Sequence, residues 1–139
     1  DEDIIKAQWD FLSAMYDKKL IKANHDVNKG GFIITVAEMC FKNKLGAELD
    51  LSSYNTFGLR DDELLFSESI GRFIIETDPA SFDDILLLAA EFKVKITKIG
   101  VILNQPKITI EGLESQDVSV DINKLKDLYD STIPNLMDI

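Results

Sequence analysis

A single α+β domain, with a mixed β-sheet and helices packed mainly on one face, is what the 139-residue sequence predicts. Three observations carry that expectation. Apolar residues recur at steps of three and four in some stretches and at steps of two in others. The alternating stretches come in consecutive pairs separated by helical ones, the pattern of a layered α+β fold. No repeat, low-complexity tract or Pro/Gly/Ser linker divides the chain.

From Ile5, the residues Trp9, Leu12 and Tyr16 fall at steps of four, three and four, flanked by Ile4, Phe11 and Met15. This wide apolar stripe predicts an amphipathic helix ending near Leu20. A short stretch from Ile21 to Val27 leads into Gly30-Gly31, after which Ile33, Val36, Ala37 and Cys40 mark a second helix to about Asn43. The period then changes to two, and Ala47 to Leu51, Leu64 to Ser67 and Arg72 to Thr77 read as strands. Asp78 as N-cap and Pro79 at the first helical position announce a third helix, with Phe82, Ile85, Leu86 and Ala89 on its buried face. Val94 and Ile96 alternate, the phase slips at Lys98, and Ile99, Val101 and Leu103 resume, predicting a bulge or two short strands. Ile108/Ile110 and Val118/Val120, joined through a turn at Glu111-Gly112, predict a hairpin. Asp121 caps a last helix carrying Ile122, Leu125, Leu128 and Tyr129 up to a break at Pro134. The pattern leaves strand order open.

Fifteen basic against 25 acidic residues leave a formal charge of -10, a field that repels phosphate backbones and anionic lipid. Nucleic acid and membranes are therefore not expected partners. The longest unbroken apolar run, Ile85 to Ala90, falls far short of the roughly 20 residues a spanning helix needs. One cysteine, Cys40, excludes an internal disulfide and a cysteine zinc cage, and with no cation at helical spacing it reads as an inert buried thiol. The start, DEDIIKAQWD, lacks the basic and apolar regions of a secretory signal, so the cytoplasm is the expected compartment.

Two stretches concentrate polar chemistry. His25-Asp26-Val27-Asn28-Lys29-Gly30-Gly31 crowds an imidazole, a carboxylate, an amide and an ammonium onto the turn that opens a helix. Such a turn suits an anion, or a magnesium ion held by Asp26, because helix N-termini offer free N–H groups and glycines permit close approach. Turn chemistry alone also accounts for it: Asp26 and Asn28 cap, the glycines supply backbone conformations, and His25 is hydrogen-bonded. In Leu65-Phe66-Ser67-Glu68-Ser69-Ile70-Gly71-Arg72-Phe73, Glu68 and Arg72 read as an ion pair or a site pair, and a salt bridge holding a strand-to-strand turn is the expectation. The acidic clusters at Asp1 to Asp3, Asp61 to Glu63 and Asp83-Asp84 read as solvated faces or helix starts.

HDVNKGGFIITVAEM at 25–39 resembles the HDVSDGG-type segment and following apolar helix of the C-terminal domain in the aminoimidazole ribonucleotide synthetase-like superfamily, and LFSESIGRFIIE at 65–76 resembles its second hallmark. Order and spacing are most similar to the phosphoribosylformylglycinamidine synthase subunit II family, over the whole chain. The resemblance implies one domain, 1–139, of a longer synthetase. That enzyme consumes ATP with magnesium and glutamine-derived ammonia to convert formylglycinamide ribonucleotide to formylglycinamidine ribonucleotide in purine synthesis. Its partners would be the remaining domains, a glutaminase subunit and a small third subunit. The resemblance assigns no catalytic residue here and no tight ATP or magnesium binding to this domain alone. It does mark His25, Asp26, Asn28, Gly30 and Gly31, on a turn facing an inter-domain cleft, with Glu68, Ser69 and Arg72 of the second hallmark, as candidates for cofactor binding. Asn28-Lys29 stands where the pattern has Ser-Asp, an ammonium in place of a carboxylate. Another superfamily member, or a standalone non-catalytic binding module of the same fold, is the alternative. Removed from its partner domains, such a chain is expected to self-associate through the sheet or the first helix.

Overall fold

A computed structural model describes residues 2–54 and 58–137 of the chain; Asp1, the start of the first acidic cluster, lies outside them. The order is α1 (Glu2–Asp17), β1 (Ala23–Asp26), α2 (Gly31–Phe41), β2 (Gly46–Asp50), α3 (Asp61–Phe66), β3 (Phe73–Glu76), a 3-10 turn (Pro79–Ser81), α4 (Phe82–Phe92), β4 (Gly100–Leu103), β5 (Lys107–Glu111), β6 (Val118–Asp121) and α5 (Ile122–Leu136). The fold is α+β.

The larger sheet is mixed, in the order β4-β2-β5-β6. β2 runs parallel to β5, with Ala47 beside Ile108 and Leu49 beside Ile110, and antiparallel to β4. The expected hairpin forms, with Ile108 opposite Val120 and Ile110 opposite Val118. Because side chains alternate along a strand, Ala47, Leu49, Ile108 and Ile110 share one face. They are buried in a core with Phe32, Val36, Ala37, Cys40 and Phe41 of α2 and Ile122 of α5. Glu48, Val101 and Ser119, on the opposite face, are exposed, so the helices do cover one side. Burial in this core pushes the Cys40 thiol up.

β1 and β3 pair antiparallel as a separate small sheet. Ile74 packs against the α2 core, while Ile75 packs against a second core built from Phe11, Met15, Ile85, Leu88 and Ala89 of α1 and α4. Adjacent side chains of one strand thus seat two cores.

Several expected elements differ. Leu64 to Ser67 is not a strand: Leu64 and Leu65 belong to α3 and are both buried. Its first turn is filled by Asp61, Asp62 and Glu63, favourable where helix N–H groups are free, and the Glu63 carboxylate accepts the Arg60 N–H at 3.1 Å. Ala23–Asp26, read as a connector, is β1. Asp78 does not cap α4; its carboxylate pairs with Lys22 at 2.5 Å, and the 3-10 turn intervenes. The buried stripe of α4 is Ile85, Leu88 and Ala89, so Leu86, about 100° round the helix from Ile85, is 43% exposed. Val94 and Ile96 form no strand but pack from an irregular segment against the second core. α5 continues through Pro134, which forfeits only a bond to the exposed Asp130 carbonyl, a group water can satisfy. Its cap is as expected, Asp121 accepting the Lys124 N–H at 3.0 Å.

Asp61 also fastens α3 to the β5–β6 connection. Its carboxylate accepts the Ser115 hydroxyl at 2.5 Å and the N–H groups of Glu114 and Ser115 at 2.8 and 2.9 Å. These bonds, the Ser115 hydroxyl foremost, hold its pKa below the usual carboxylate value. Because the folded pKa is depressed, the stability this clamp supplies is complete above the unfolded value, about 4, and is lost as pH falls through the folded one. In urea titrations, the stability gap between wild type and Asp61→Asn is therefore expected to be largest near neutrality and to narrow on acidification; a gap that widens would contradict the clamp.

Candidate functional site

The two polar stretches, about 40 residues apart in sequence, meet in space. β1 ends at Asp26 opposite Phe73, and the Val27 N–H donates to the Arg72 carbonyl at 2.8 Å. Beyond it the chain turns: Gly31 N–H donates to the Asn28 carbonyl at 3.0 Å, and the Asn28 amide donates to the Asp26 carboxylate at 3.1 Å. Gly30 and Gly31 both take left-handed backbone, φ 82° and 73°. A Cβ on Gly31 would stand 2.6 Å from Phe66 Cα, so only glycine lets the start of α2 rest on the end of α3. The Thr35 hydroxyl, fully buried, donates to the Gly31 carbonyl at 3.0 Å and braces the same turn.

α3 delivers Ser67, Glu68 and Ser69 beside this turn. Glu68 Oε1 accepts the Gly30 N–H at 2.8 Å. The expected Glu68–Arg72 ion pair is not what forms. Arg72 folds back on its own loop, donating to the Ser67 carbonyl, to Ser67 Oγ at 3.1 Å and to the Ser69 carbonyl at 3.5 Å, and across to the Tyr54 hydroxyl at 3.3 Å. Glu68 instead takes the Gly30 N–H just ahead of a helix start, where a carboxylate is favoured. Ser69 enters the site through its carbonyl, its side chain being exposed.

His25 Nδ1 donates to the Asp26 carbonyl at 2.7 Å, and Nε2 lies 3.6 Å from one oxygen of Glu38 on α2. The other oxygen accepts the Tyr129 hydroxyl at 3.0 Å, and this bond raises the Tyr129 pKa. The turn is thereby linked through α2 to α5.

A cleft of about 760 Å³ opens over the turn, walled by Asn24 to Lys29 and by Glu68, Ile70, Gly71, Arg72 and Phe73. Its third wall was not legible in sequence: Ile5, Gln8 and Trp9 of α1. The Gln8 amide donates to the Gly71 carbonyl at 2.9 Å, and Trp9 meets Phe73 edge-on at 5.6 Å. Trp9 is 60% and Ile5 43% exposed, which corrects their expected burial, because only the Phe11, Leu12 and Met15 side of α1 reaches the core. Tyr54 is a further participant outside both motifs, and Ser67 and Glu38, inside them, are not among the expected site residues. Removing the Glu68 acceptor in Glu68→Ala is expected to cost about 1 kcal/mol, as for loss of a helix cap. Glu68→Gln, which keeps an acceptor, should cost clearly less in the same urea titration; equal losses would show that the hydrogen bond is not what matters.

Residues 1–112 match the family model described as AIR synthase related protein, C-terminal domain. The chain belongs to that family. Among curated relatives, phosphoribosylformylglycinamidine synthase subunit PurL of Methanococcus aeolicus is 32% identical over 136 residues, 97% of this chain and 18% of its own length. The subunit of Methanocaldococcus jannaschii is 32% identical over 118 residues, 85% of this chain and 15% of its own. A probable chloroplastic/mitochondrial phosphoribosylformylglycinamidine synthase of Arabidopsis thaliana is 29% identical over 132 residues, 9% of its length. The chain therefore spans under a fifth of these relatives. Among solved structures, phosphoribosylformylglycinamidine synthase II of Thermotoga maritima superposes with a TM-score of 0.79 at 21% identity, covering 90% of this chain and 22% of that one. PurLQS of the same organism gives 0.78 at 22%, covering 88% and 21%. At such identity the likeness is one of fold.

In this AIR synthase-related domain the glycine turn is already occupied from within. The Gly30 N–H that an incoming phosphate would seek is held by Glu68. Asp26 is engaged by Asn28, and among the described residues no three His, Cys, Asp or Glu side chains gather as a metal site. The described residues of the turn thus gather no ligand set for magnesium. Among the described residues no helix is long and apolar enough to cross a membrane.

Proposed function

We propose that this chain is the C-terminal domain of an ATP-dependent ligase. That ligase converts formylglycinamide ribonucleotide, ATP and glutamine-derived ammonia to formylglycinamidine ribonucleotide, in the cytoplasm. Within it the domain is a wall of the cleft, catalytically incomplete alone, spanning residues 1–139 as one domain of a longer polypeptide. The single observation that carries this reading is the joining of the two family hallmarks by the Gly30–Glu68 hydrogen bond at an open cleft. Alignment of 97% of the chain with under a fifth of a PurL subunit supports it. So do solved relatives titled as PurL complexed with ATP and with FGAR, and as PurLQS.

His25, Asp26, Asn28, Gly30, Gly31, Glu68, Ser69 and Arg72 act here as the frame of the cleft wall. Their bonds to one another fix the turn, while Lys29 and the apolar surface of Trp9 and Ile70 face what the rest of the enzyme supplies. ATP and magnesium are held by the assembled protein; the glutaminase and the small third subunit dock on it.

Calorimetry of the 139-residue chain with ATP and magnesium is expected to show no heat, in wild type and in Asp26→Ala alike. Phosphate release dependent on formylglycinamide ribonucleotide is expected only from the complete polypeptide with its glutaminase and small subunits. Specific heat abolished by Asp26→Ala would replace the wall with a nucleotide site. A complete polypeptide without substrate-dependent phosphate release would overturn the ligase reading.

A further inference from the structure

The larger sheet ends in two open edges, one preceded by a lysine and the other flanked by acidic residues. β4 forms one edge and β6 the other. Lys98 stands two residues before β4, and no acidic residue lies between 92 and 110, in a chain whose net charge is -10; Lys107 belongs to β5, beside Asp121 of β6. Around β6 stand Glu111, Glu114, Asp117 and Asp121. Both edges retain backbone groups for a further strand. The Asp50 N–H to Ile99 carbonyl bond fixes the antiparallel alternation, so Val101 and Leu103 turn their main-chain groups to β2 while Gly100 and Ile102 turn theirs outward. The Ile122 N–H to Pro106 carbonyl bond does the same for β6, leaving Ser119 outward. Val101 and Ile102 are exposed at that edge, and none of the four β4 residues carries the charge or proline with which edges are usually blunted.

We propose that these edges dock to one another between copies of this chain, β6 of one molecule adding to β4 of the next. Strand direction selects this pairing. β4 is antiparallel to β2, β2 is parallel to β5, and β5 is antiparallel to β6, so β4 and β6 run the same way. A copy added in the same orientation sets the starts of the two strands side by side, bringing Lys98 to Asp117 of its neighbour. Both side chains are exposed, and neither has an ion-pair partner among the described residues. A two-fold β6–β6 pairing would set Asp117 against Asp121, acid against acid. A two-fold β4–β4 pairing would set Lys98 against the uncharged Asn104 region and gain no charge contact. The contact is heterologous, so growth continues past the dimer.

Sedimentation velocity tests it by charge exchange. Wild type should sediment as a concentration-dependent ladder extending beyond dimers. Lys98→Glu sets acid against Asp117 at the contact and Asp117→Lys sets cation against Lys98, so each variant alone should associate at least about tenfold more weakly. An equimolar mixture should recover wild-type association, because each variant then supplies the edge the other lacks. Ser119→Pro, which removes an outward N–H without altering charge, should also weaken association. Monomer at every concentration, association unchanged in both charge variants, or failure of the mixture to recover would each overturn the proposal.

Discussion

Gly31→Val is expected to lower stability by about 3–5 kcal/mol, the sum of left-handed strain and a collision with backbone. At φ 73° a β-branched residue is disfavoured, and its Cβ would meet the Cα and carbonyl of Phe66, atoms that cannot rotate aside. Relief requires α2 to lift from α3, which would draw Gly30 from Glu68. Gly30 makes the internal control. Its φ of 82° imposes similar strain, but the atoms nearest its Cβ belong to the Ile34 side chain instead of backbone, so Gly30→Ala should cost about 1–2 kcal/mol. Urea unfolding of the two variants checks the ranking; comparable midpoints would mean that the α2–α3 contact yields easily.

Phe32→Ala is expected to cost about 3–5 kcal/mol, the usual range for a phenylalanine deleted from a core. The ring is 2% exposed and stacks on Tyr54 at 5.6 Å with 26° between planes. Tyr54 in turn accepts a hydrogen bond from Arg72. The cavity should therefore loosen the Arg72 fan as well as the core, and protection of the Val27 amide, which donates to the Arg72 carbonyl, should fall by more than global destabilisation alone accounts for. Uniform loss of protection would separate core from cleft.

Local pattern revealed the pieces that obey local rules. α2, the β5–β6 hairpin and the Asp121 cap follow from apolar periodicity, a glycine turn and an aspartate before a helix. Leu64 to Ser67 reads as a strand because four residues cannot distinguish alternation from a helix turn, while the Asp61–Glu63 cluster, read as a solvated face or helix start, marks where α3 begins. β1 carries no apolar alternation in Ala23-Asn24-His25-Asp26, and is a strand only because β3 offers it a partner. At the cleft, the two motifs were visible as strings, but their joint was not. Spacing pairs Glu68 with Arg72, four residues away, whereas it bonds Gly30, a relation set by the packing of α2 on α3. Nor does a helical stripe say that Trp9 turns to a cleft while Phe11 turns to a core.

The parallel pairing of β2 with β5 sets a timetable. The strand that covers Ala47 and Leu49 laterally, with Ile108 and Ile110, lies about 60 residues downstream, beyond β3 and α4. A chain emerging from the ribosome N-terminus first thus displays the apolar side of α2 before the sheet beneath it can close. β1 and β3 can pair earlier, so the small sheet and its turn should form before the large one. Folding of this domain is then a late, cooperative event that waits on β5, and until that strand is made the most apolar helix of the chain is the surface a chaperone would find.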